Sequence, residues 1–197
     1  MRRDILTSLI AAVVFTILLG LVYPLLITGV SQVAFPGNAN GQKIEVNGKL
    51  VGSKLIGQSF TSNPRYFQSR PSATEGGEYN AAASAFSNRG PNGRATAQAD
   101  TENINKYLAL NRPYDSALMV ARIPVDAVNT SASNLDPEIS QANAWIQAHR
   151  VAAKRGLSLN VVDRLISKHT SGRGLGFSGE RGVNVLELNL ALDGGSR

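Results

Sequence analysis

The chain has 197 residues, with 20 Lys and Arg against 14 Asp and Glu, and it has no cysteine. Its net charge of +6 is spread without a dense basic run, which argues against nucleic-acid binding. The missing cysteines exclude a disulfide framework and agree with an oxidising exterior compartment, although they agree with many others too.

The longest charge-free stretch, residues 5–42, predicts a membrane span. Residues 5–27 are apolar almost throughout, and a helix of that length measures about 34 Å, enough to cross a hydrocarbon core of ~30 Å. A cleaved signal peptide is the alternative, because a small-residue pattern stands at Gly29-Val30-Ser31. The apolar region of a signal peptide is typically shorter than residues 5–27, at about 7–15 residues.

The charges around the span predict its orientation. Arg2 and Arg3 precede it, and the first charge after it is Lys43. Positive residues favour the cytoplasmic side. We therefore expect residues 1–34 to be a cytoplasmic stub and transmembrane helix in the plasma membrane, and residues 35–197 to form an exterior domain.

Small residues recur every four positions along the span, which predicts close approach of a partner helix. They are Ser8, Ala12, Thr16, Gly20, Pro24 and Thr28. We take Ala12, Thr16 and Gly20 as candidate contacts, and a simple anchor is the alternative. Pro24 removes a backbone donor and should kink the helix unless a neighbour compensates.

After the span, Asn47-Gly48 separates two alternating runs and predicts a β-hairpin, because both turn positions need a positive φ. We expect residues 53–60 to extend this sheet. Residues 71–101 are small and polar, with Tyr79 and Phe86 as the large apolar exceptions. Such a stretch is usually disordered or a functional binding loop.

We predict that the loop over residues 70–92 contacts another subunit rather than a small molecule, since Arg and Tyr are favoured interface anchors. A disordered surface loop is the alternative. The candidate contacts are Arg70, Tyr79, Asn80, Asn88 and Arg89.

The next segments give a mixed prediction. Residues 103–110 are ambiguous, residues 117–124 (ALMVARIP) indicate a strand, and residues 125–135 read as a polar connection. Asp136-Pro137 favours a helix start, with Asp136 as its cap, and Gly156 favours its end. The expected inner face of that helix is Ile139, Ala142, Ile146 and Ala153.

Ser158 predicts a cap for a second helix with Val162, Leu165 and Ile166 turned inward. The tail over residues 183–192 leaves two readings open. Its alternating leucines fit a strand, whereas Asn184 followed by Glu187 resembles a capping box. We favour the helix.

The sequence shows no catalytic constellation, so we predict no catalytic residue, cofactor or metal. His149 and His169 have no carboxylate at ligand spacing and are expected on a helix surface or end. There is no phosphate loop, and the glycine-rich residues 172–176 follow a helix, which favours a turn. Asp126 and Asp163 are expected to be solvated charges. The predicted fold class is α+β, with one transmembrane helix, a small β-sheet and C-terminal helices.

Several sequence motifs nevertheless resemble those of one family, the C subunit of the Kdp potassium-transporting P-type ATPase. They are Gly57-Gln58-Ser59-Phe60, Tyr66-Phe67-Gln68-Ser69-Arg70-Pro71-Ser72-Ala73, Tyr79-Asn80, Ser131-Ala132-Ser133, Leu135-Asp136-Pro137, Ile139-Ser140, Gln147, Arg150-Val151-Ala152, Arg155-Gly156, Val183-Asn184-Val185-Leu186 and Leu188-Asn189-Leu190-Ala191-Leu192. The chain departs from the family's pattern at residues 84–88, at Asn134 and at residues 180–182. Asn tolerates the left-handed backbone conformation, so the turn at Asn134 should survive.

The resemblance implies a non-catalytic accessory subunit, required for assembly and activity, beside a potassium-channel-like subunit and an ATP-hydrolysing subunit. It also implies a catalytic chaperone that raises the ATP affinity of the ATPase subunit. An exterior domain cannot touch cytoplasmic ATP, so we expect any such effect to be allosteric or carried by the span. A stand-alone, membrane-anchored exterior binding protein or enzyme is the alternative.

Overall fold

The computed structural model describes residues 1–61, 63–84 and 89–194. The chain divides into two compact units, Met1–Val51 and Gly52–Arg197. The predicted α+β class is confirmed. The membrane-defined boundary between residues 34 and 35 stays a prediction.

The first unit begins with a helix over Arg2–Ala34 that is long and apolar enough to cross a membrane. It consists of α1 (Arg2–Ile17), a π-helical segment (Leu18–Val22) and α2 (Tyr23–Ala34). Pro24 is the second residue of α2, two positions after the end of the π-helical segment. Because proline cannot donate to the carbonyl four residues earlier, a wider turn at this point relieves the clash and changes the hydrogen-bond pattern locally.

A short helix, α3 (Pro36–Ala39), leads to the strands β1 (Lys43–Val46) and β2 (Lys49–Ser53), which pair in a two-stranded sheet. The turn between them has φ values of 52° at Asn47 and 74° at Gly48, as predicted. The expected extension of this sheet to residue 60 is wrong. The strand ends at Ser53, and the Gly57 N–H instead donates to the Leu135 carbonyl at 2.8 Å.

The second unit is built mainly from helices around one short antiparallel strand pair. Its elements are α4 (Arg94–Asn111), β3 (Glu138–Ser140), α5 (Gln141–Arg155), α6 (Leu159–Lys168), β4 (Gly182–Asn184) and α7 (Val185–Asp193). β3 pairs with β4, and Ile139 lies opposite Val183. This pair joins chain segments that are more than forty residues apart.

The helix predicted from Asp136-Pro137 begins later. Asp136 does not cap it but accepts the Glu138 N–H at 3.0 Å, which forms a turn before β3. The helix, α5, starts at Gln141, and Ser140 is its cap, with its hydroxyl accepting the Asn143 N–H at 3.1 Å. The predicted end at Gly156 is confirmed, since this residue has a φ of 68°.

The predicted inner face of α5 is largely wrong. Ala142 and Ala153 are exposed, and Ile139 belongs to β3. Ile146 is buried as predicted, but Val151, which is not part of the predicted inner face, is fully buried. The helix lies between two apolar clusters. The larger contains Phe67, Ile139, Ala144, Ala148, Val151, Ala152, Val162, Ile166, Val183, Val185, Leu188 and Leu192, and the smaller contains Tyr107, Leu118, Ala127, Val128 and Ile146.

Two further predictions before α5 are corrected. The segment over residues 117–124 is not a strand: Leu118 is buried, Met119 and Val120 are exposed, and Val120–Arg122 form a 3₁₀ turn. Leu118 is a buried member of the smaller apolar cluster and Ile123 packs against it, but the residues between them are exposed, so the apolar run does not mark a buried strand. The polar loop is shorter than expected, because α4 begins at Arg94.

The last two helices follow the sequence closely. Ser158 lies at the N-cap position of α6 as predicted, but its side chain makes no capping hydrogen bond. Val162 and Ile166 are buried, and Leu165 is partly buried. The ambiguous tail is the helix α7, and the Asn184 side chain accepts the Glu187 N–H at 3.0 Å, as the capping pattern predicts. The glycine-rich residues 172–176 lie in a turn region closed by a bridge between Gly174 and Ser178.

Candidate functional site

A row of polar side chains runs along the buried face of α5. Asn143, Gln147 and Arg150 are spaced four and three residues apart, which places them on one side of the helix. They are 1%, 1% and 0% exposed. Burial of such groups is costly unless their hydrogen bonds are made. We call these three residues the α5 polar row.

Arg150 makes four hydrogen bonds from within the protein. Its Nε donates to Asn111 Oδ1 at 3.1 Å, and its terminal nitrogens donate to the carbonyls of Pro64 and Tyr66 at 3.2 and 3.1 Å and to Gln147 Oε1 at 2.7 Å. No carboxylate among the described residues forms an ion pair with it. Burial lowers the pKa of its guanidinium to about 10, so it remains charged at neutral pH.

Gln147 fixes the backbone of residue 68 from both sides. Its Oε1 accepts the Gln68 N–H at 2.7 Å, and its Nε2 donates to the Gln68 carbonyl at 3.1 Å. Asn189 of α7 does the same for Phe67, with both distances at 2.9 Å. Two side-chain amides thus bind both the N–H and the carbonyl of residues 67 and 68, as neighbouring strands would.

The third member of the row connects α5 to α4. Asn143 Oδ1 accepts from the Tyr107 hydroxyl at 2.9 Å, and Asn143 Nδ2 donates to Asp126 Oδ2 at 3.0 Å. Asp126 also accepts from the backbone N–H and the hydroxyl of Ser140, both at 2.8 Å. The expectation that Asp126 is a solvated charge is therefore wrong. Burial raises the pKa of Tyr107 well above its usual value, which keeps its hydroxyl protonated as a donor.

Two motifs that carry the family resemblance, Arg70-Pro71-Ser72-Ala73 and Leu135-Asp136-Pro137, lie against each other. Arg70 Nη1 donates to Asp136 Oδ2 at 3.1 Å, and the Ser72 hydroxyl donates to the Asn134 carbonyl at 2.9 Å. Asn134 has a φ of 59°, the left-handed conformation that its side chain tolerates, and its Oδ1 accepts the Ala73 N–H at 3.1 Å. The turn at this departure from the family pattern therefore forms.

Tyr79, a predicted interface residue, supports this contact from inside the chain, and its contact with a partner stays a prediction. Its hydroxyl donates to the Arg70 carbonyl at 2.7 Å, and its backbone N–H donates to the Ser72 hydroxyl at 3.0 Å. Burial raises the pKa of the Tyr79 phenol strongly. A side chain on Gly57 would overlap the Tyr79 ring and lie 2.7 Å from the Asp136 carbonyl, so the glycine is required by space.

The remaining predicted site residues are scattered. Asn80 caps a 3₁₀ turn over Ala81–Ala83, and Arg89 is exposed with one 3.4 Å contact to the Ala95 carbonyl. Asn88 lies outside the described residues. Ala12, Thr16 and Gly20 lie in the N-terminal helix of the first unit, none of them buried. Whether any of these residues contacts a partner stays a prediction.

A cleft of about 420 Å³ lies beside the α5 polar row. Its lining includes Gln68, Arg70, Glu78, Lys106 and Tyr107. Two buried polar atoms in this lining, Gln68 Oε1 and Arg70 Nε, have no hydrogen-bond partner among the residues that the structure describes. Within the described residues, no group of three His, Cys, Asp or Glu side chains is placed to hold a metal ion.

The α5 polar row was missed as a unit by the sequence analysis. Gln147 and Arg150 were noted only as part of a family pattern, because the helix face was assigned from the apolar residues. Polar residues at positions 143, 147 and 150 share a face, and this spacing was the available signal. Chemically, Gln147 and Arg150 hold a loop in place, and most of the donors and acceptors of the row bond within the chain.

Comparisons with known proteins identify the family of the chain. The model of the family described as "K+-transporting ATPase, c chain" matches residues 5–194. The chain is 50% identical over 194 residues to the potassium-transporting ATPase KdpC subunit of Mycobacterium tuberculosis (strain H37Rv), covering 98% of this chain and 99% of that protein. It is 48% identical over 194 residues to the protein of the same name from Koribacter versatilis, at 98% and 96% coverage. The corresponding protein of Herpetosiphon aurantiacus is 49% identical over 193 residues, at 98% and 97% coverage.

The chain has an apolar helix long enough to cross a membrane and a folded α+β unit, and transport-ATPase subunits match 98% of its length. These features define a membrane-anchored subunit of an ion-transporting ATPase. Within that class, the chain belongs to the KdpC family, the c chain of potassium-transporting ATPases.

Proposed function

We propose that this chain is a non-catalytic accessory subunit of an ATP-driven, high-affinity potassium uptake complex, required for its assembly and activity. The observation that carries the proposal is the use of the polar row. Gln147 and Arg150 hold the backbone of residues 64–68 in the loop that contains the family's motifs, and Asn143 braces Gln147 against α4. The second unit is thus a rigid support, which suits a role in assembly better than one in chemistry.

The proposed partners are a potassium-channel-like subunit and an ATP-hydrolysing subunit of the same complex. Family membership supports a shared complex. The loop over residues 70–92 remains our candidate contact, with a refinement from its internal bonds. Arg70 and Tyr79 shape the base of this loop, so the exposed Arg89 is the better probe of a partner contact.

We place the chain in the inner membrane of a bacterium, with the N-terminus in the cytoplasm and the second unit outside. The support is the pair Arg2 and Arg3 before an apolar helix that is free of basic residues at its other end. A reporter enzyme active only in the cytoplasm, fused after residue 197, should be silent. An active fusion would reverse the orientation and remove the exterior assignment.

Any effect of this subunit on nucleotide affinity is proposed to be a coupling between states of the complex. Such couplings are typically worth about 1–3 kcal/mol. We infer that the chain alone has no nucleotide site, since its buried cation Arg150 is enclosed by protein oxygens. Calorimetry of the full chain in detergent with Mg-ATP should show no saturable heat. A one-site isotherm would refute this part of the proposal.

One observation favours the alternative of a stand-alone exterior binding protein. The cleft beside the polar row contains the unpaired Gln68 Oε1. That atom is buried, however, and the cleft wall also holds the engaged side chains Asn143 and Gln147. If the alternative holds, the chain will purify from detergent extracts without ATPase subunits.

A further inference from the structure

The segment between α6 and β4 presents two large apolar side chains to solvent. Leu175 is 91% exposed and Phe177 is 75% exposed. They lie in a narrow turn that is closed by two backbone hydrogen bonds between Gly174 and Ser178, each 2.8 Å long. We call residues 174–178 the apolar turn. Its shape depends on these backbone bonds and not on packing of the two side chains.

The backbone conformation of Leu175 argues against a structural role for its side chain. Its φ is 53°, in the left-handed region where a branched apolar residue is strained and where Gly or Asn would be easier to place. An exposed leucine in this conformation gains little from burial within the chain. A contact outside the chain would account for an apolar side chain at this position.

The charges around the apolar turn are mainly positive. Arg173 and Arg181 flank it, and Lys168 lies at the end of α6. Glu180 pairs with Arg173 at 3.2 Å, whereas Arg181 has no ion-pair partner among the described residues. Apolar side chains at a tip with basic residues behind them are the pattern of a segment that enters the headgroup layer of an anionic membrane.

We propose that the apolar turn is a second membrane contact, in which Leu175 and Phe177 insert into an anionic lipid surface and Arg173 and Arg181 face the headgroups. The inference rests on the membrane anchorage in the proposed function and not on the role in potassium uptake. A domain tethered to a bilayer experiences a high effective concentration of lipid. Two apolar side chains, too few to bind a membrane alone, are then sufficient for a populated contact.

The test uses the full chain in vesicles. The chain has one tryptophan, which is Trp145 on α5, so the double variant Trp145→Phe, Phe177→Trp has its only indole in the apolar turn. In phosphatidylglycerol vesicles with brominated acyl chains, we expect its emission to be blue-shifted and quenched more strongly than that of the native chain. Flotation with the vesicles reports anchorage separately, so a chain that fails to float tests the anchor and not the turn.

Two further variants in the same background assign the contact. Leu175→Asn fits the left-handed backbone and should keep the melting temperature, while it lowers the ratio of inserted to free turn by about tenfold because an apolar side chain is removed. Arg181→Gln should lower that ratio by about fivefold in anionic vesicles and have no effect in phosphatidylcholine vesicles.

The proposal would be overturned if the chain binds to the vesicles but its introduced indole emits as in water and is not quenched. So would a blue shift that appears only when purified ATPase subunits are added, since that result would assign the apolar turn to a protein contact. Equal quenching in anionic and neutral vesicles would contradict the role given to the arginines.

Discussion

The Arg150 guanidinium lies where three parts of the second unit meet. Residues 64–66, Asn111 of α4 and Gln147 of α5 all supply oxygens to it. It is fully buried and charged, and its compensation comes from neutral oxygens. Removing it would leave the buried Asn111 Oδ1 without this donor and would open a cavity where a fully buried side chain lies. An unsatisfied buried group costs about 1–3 kcal/mol, and a cavity adds to that cost.

We therefore expect Arg150→Ala to lower the free energy of unfolding by about 3 kcal/mol or more, measured by chemical denaturation of the full chain in detergent. Arg164→Ala, which removes an exposed arginine on α6, is the matched control and should stay within about 0.5 kcal/mol of the native value. A small effect of Arg150→Ala, similar to the control, would mean that the loop does not depend on this side chain.

Residue-level prediction from the sequence succeeded where the cause is local. Asn47 and Gly48 occupy positive φ, and Asn184 caps α7, because turn and cap preferences act over a few residues. It failed for Asp126, whose partners Ser140 and Asn143 are 14 and 17 positions away. Such a contact depends on the folded chain and leaves no local signal.

At the level of elements, the start of α5 shows the same limit. Asp136-Pro137 has the composition of a helix start, yet the Pro137 carbonyl accepts the Val185 N–H at 3.0 Å, and the following residues pair with β4. The strand pair uses the backbone groups that a first helical turn would need. Ser140, the next available capping residue, then begins the helix.

The end of α6 gives a pH-dependent prediction. Desolvation lowers the pKa of His169, an effect that Glu187 opposes and that Lys168 and Lys54 reinforce. The unfolded chain, with an ordinary value of 6.5, then binds a proton more readily than the folded one. The free energy of unfolding should consequently decrease as the pH falls from about 6.5 through the lowered pKa of His169. Below that pKa, the titration of His169 should no longer change the free energy of unfolding.

The check is the melting temperature of the native chain and of His169→Gln between about pH 7 and about pH 5. The variant should lose less of its melting temperature over this range than the native chain. His149→Gln, which removes the exposed histidine on α5, is the control for a general loss of imidazole. Identical profiles for the native chain and His169→Gln would show that His169 is not linked to folding.

At the level of the whole molecule, the sequence predicted the classes of structure better than their arrangement. The apolar helix over Arg2–Ala34 and the α+β class are evident from long patterns that average over many residues. The α5 polar row and its loop were not predicted, because side-chain amides replace strand neighbours at residues 67 and 68. Nothing in the composition of a polar loop indicates such a support.

The N-terminal helix provides a prediction about assembly. Gly20 lies inside the π-helical segment and in the row of small residues proposed to meet a partner helix. Gly20→Leu should reduce co-purification of ATPase subunits, since a larger side chain keeps helices apart. Val14→Leu, outside that row, should preserve the yield. Trp145 fluorescence should be the same in both variants, and an unchanged yield with Gly20→Leu would reduce the helix to a simple anchor.

The central claim is that this chain works as part of a potassium-transporting complex and not alone. The most direct measurement is the native mass and subunit composition of the particle that a tag on this chain recovers from detergent-extracted membranes. We predict one particle that contains the potassium-channel-like and ATP-hydrolysing subunits together with this chain, and whose potassium-stimulated ATPase activity is lost when this chain is removed. Recovery of the chain by itself, with full activity in a particle that lacks it, would contradict the account.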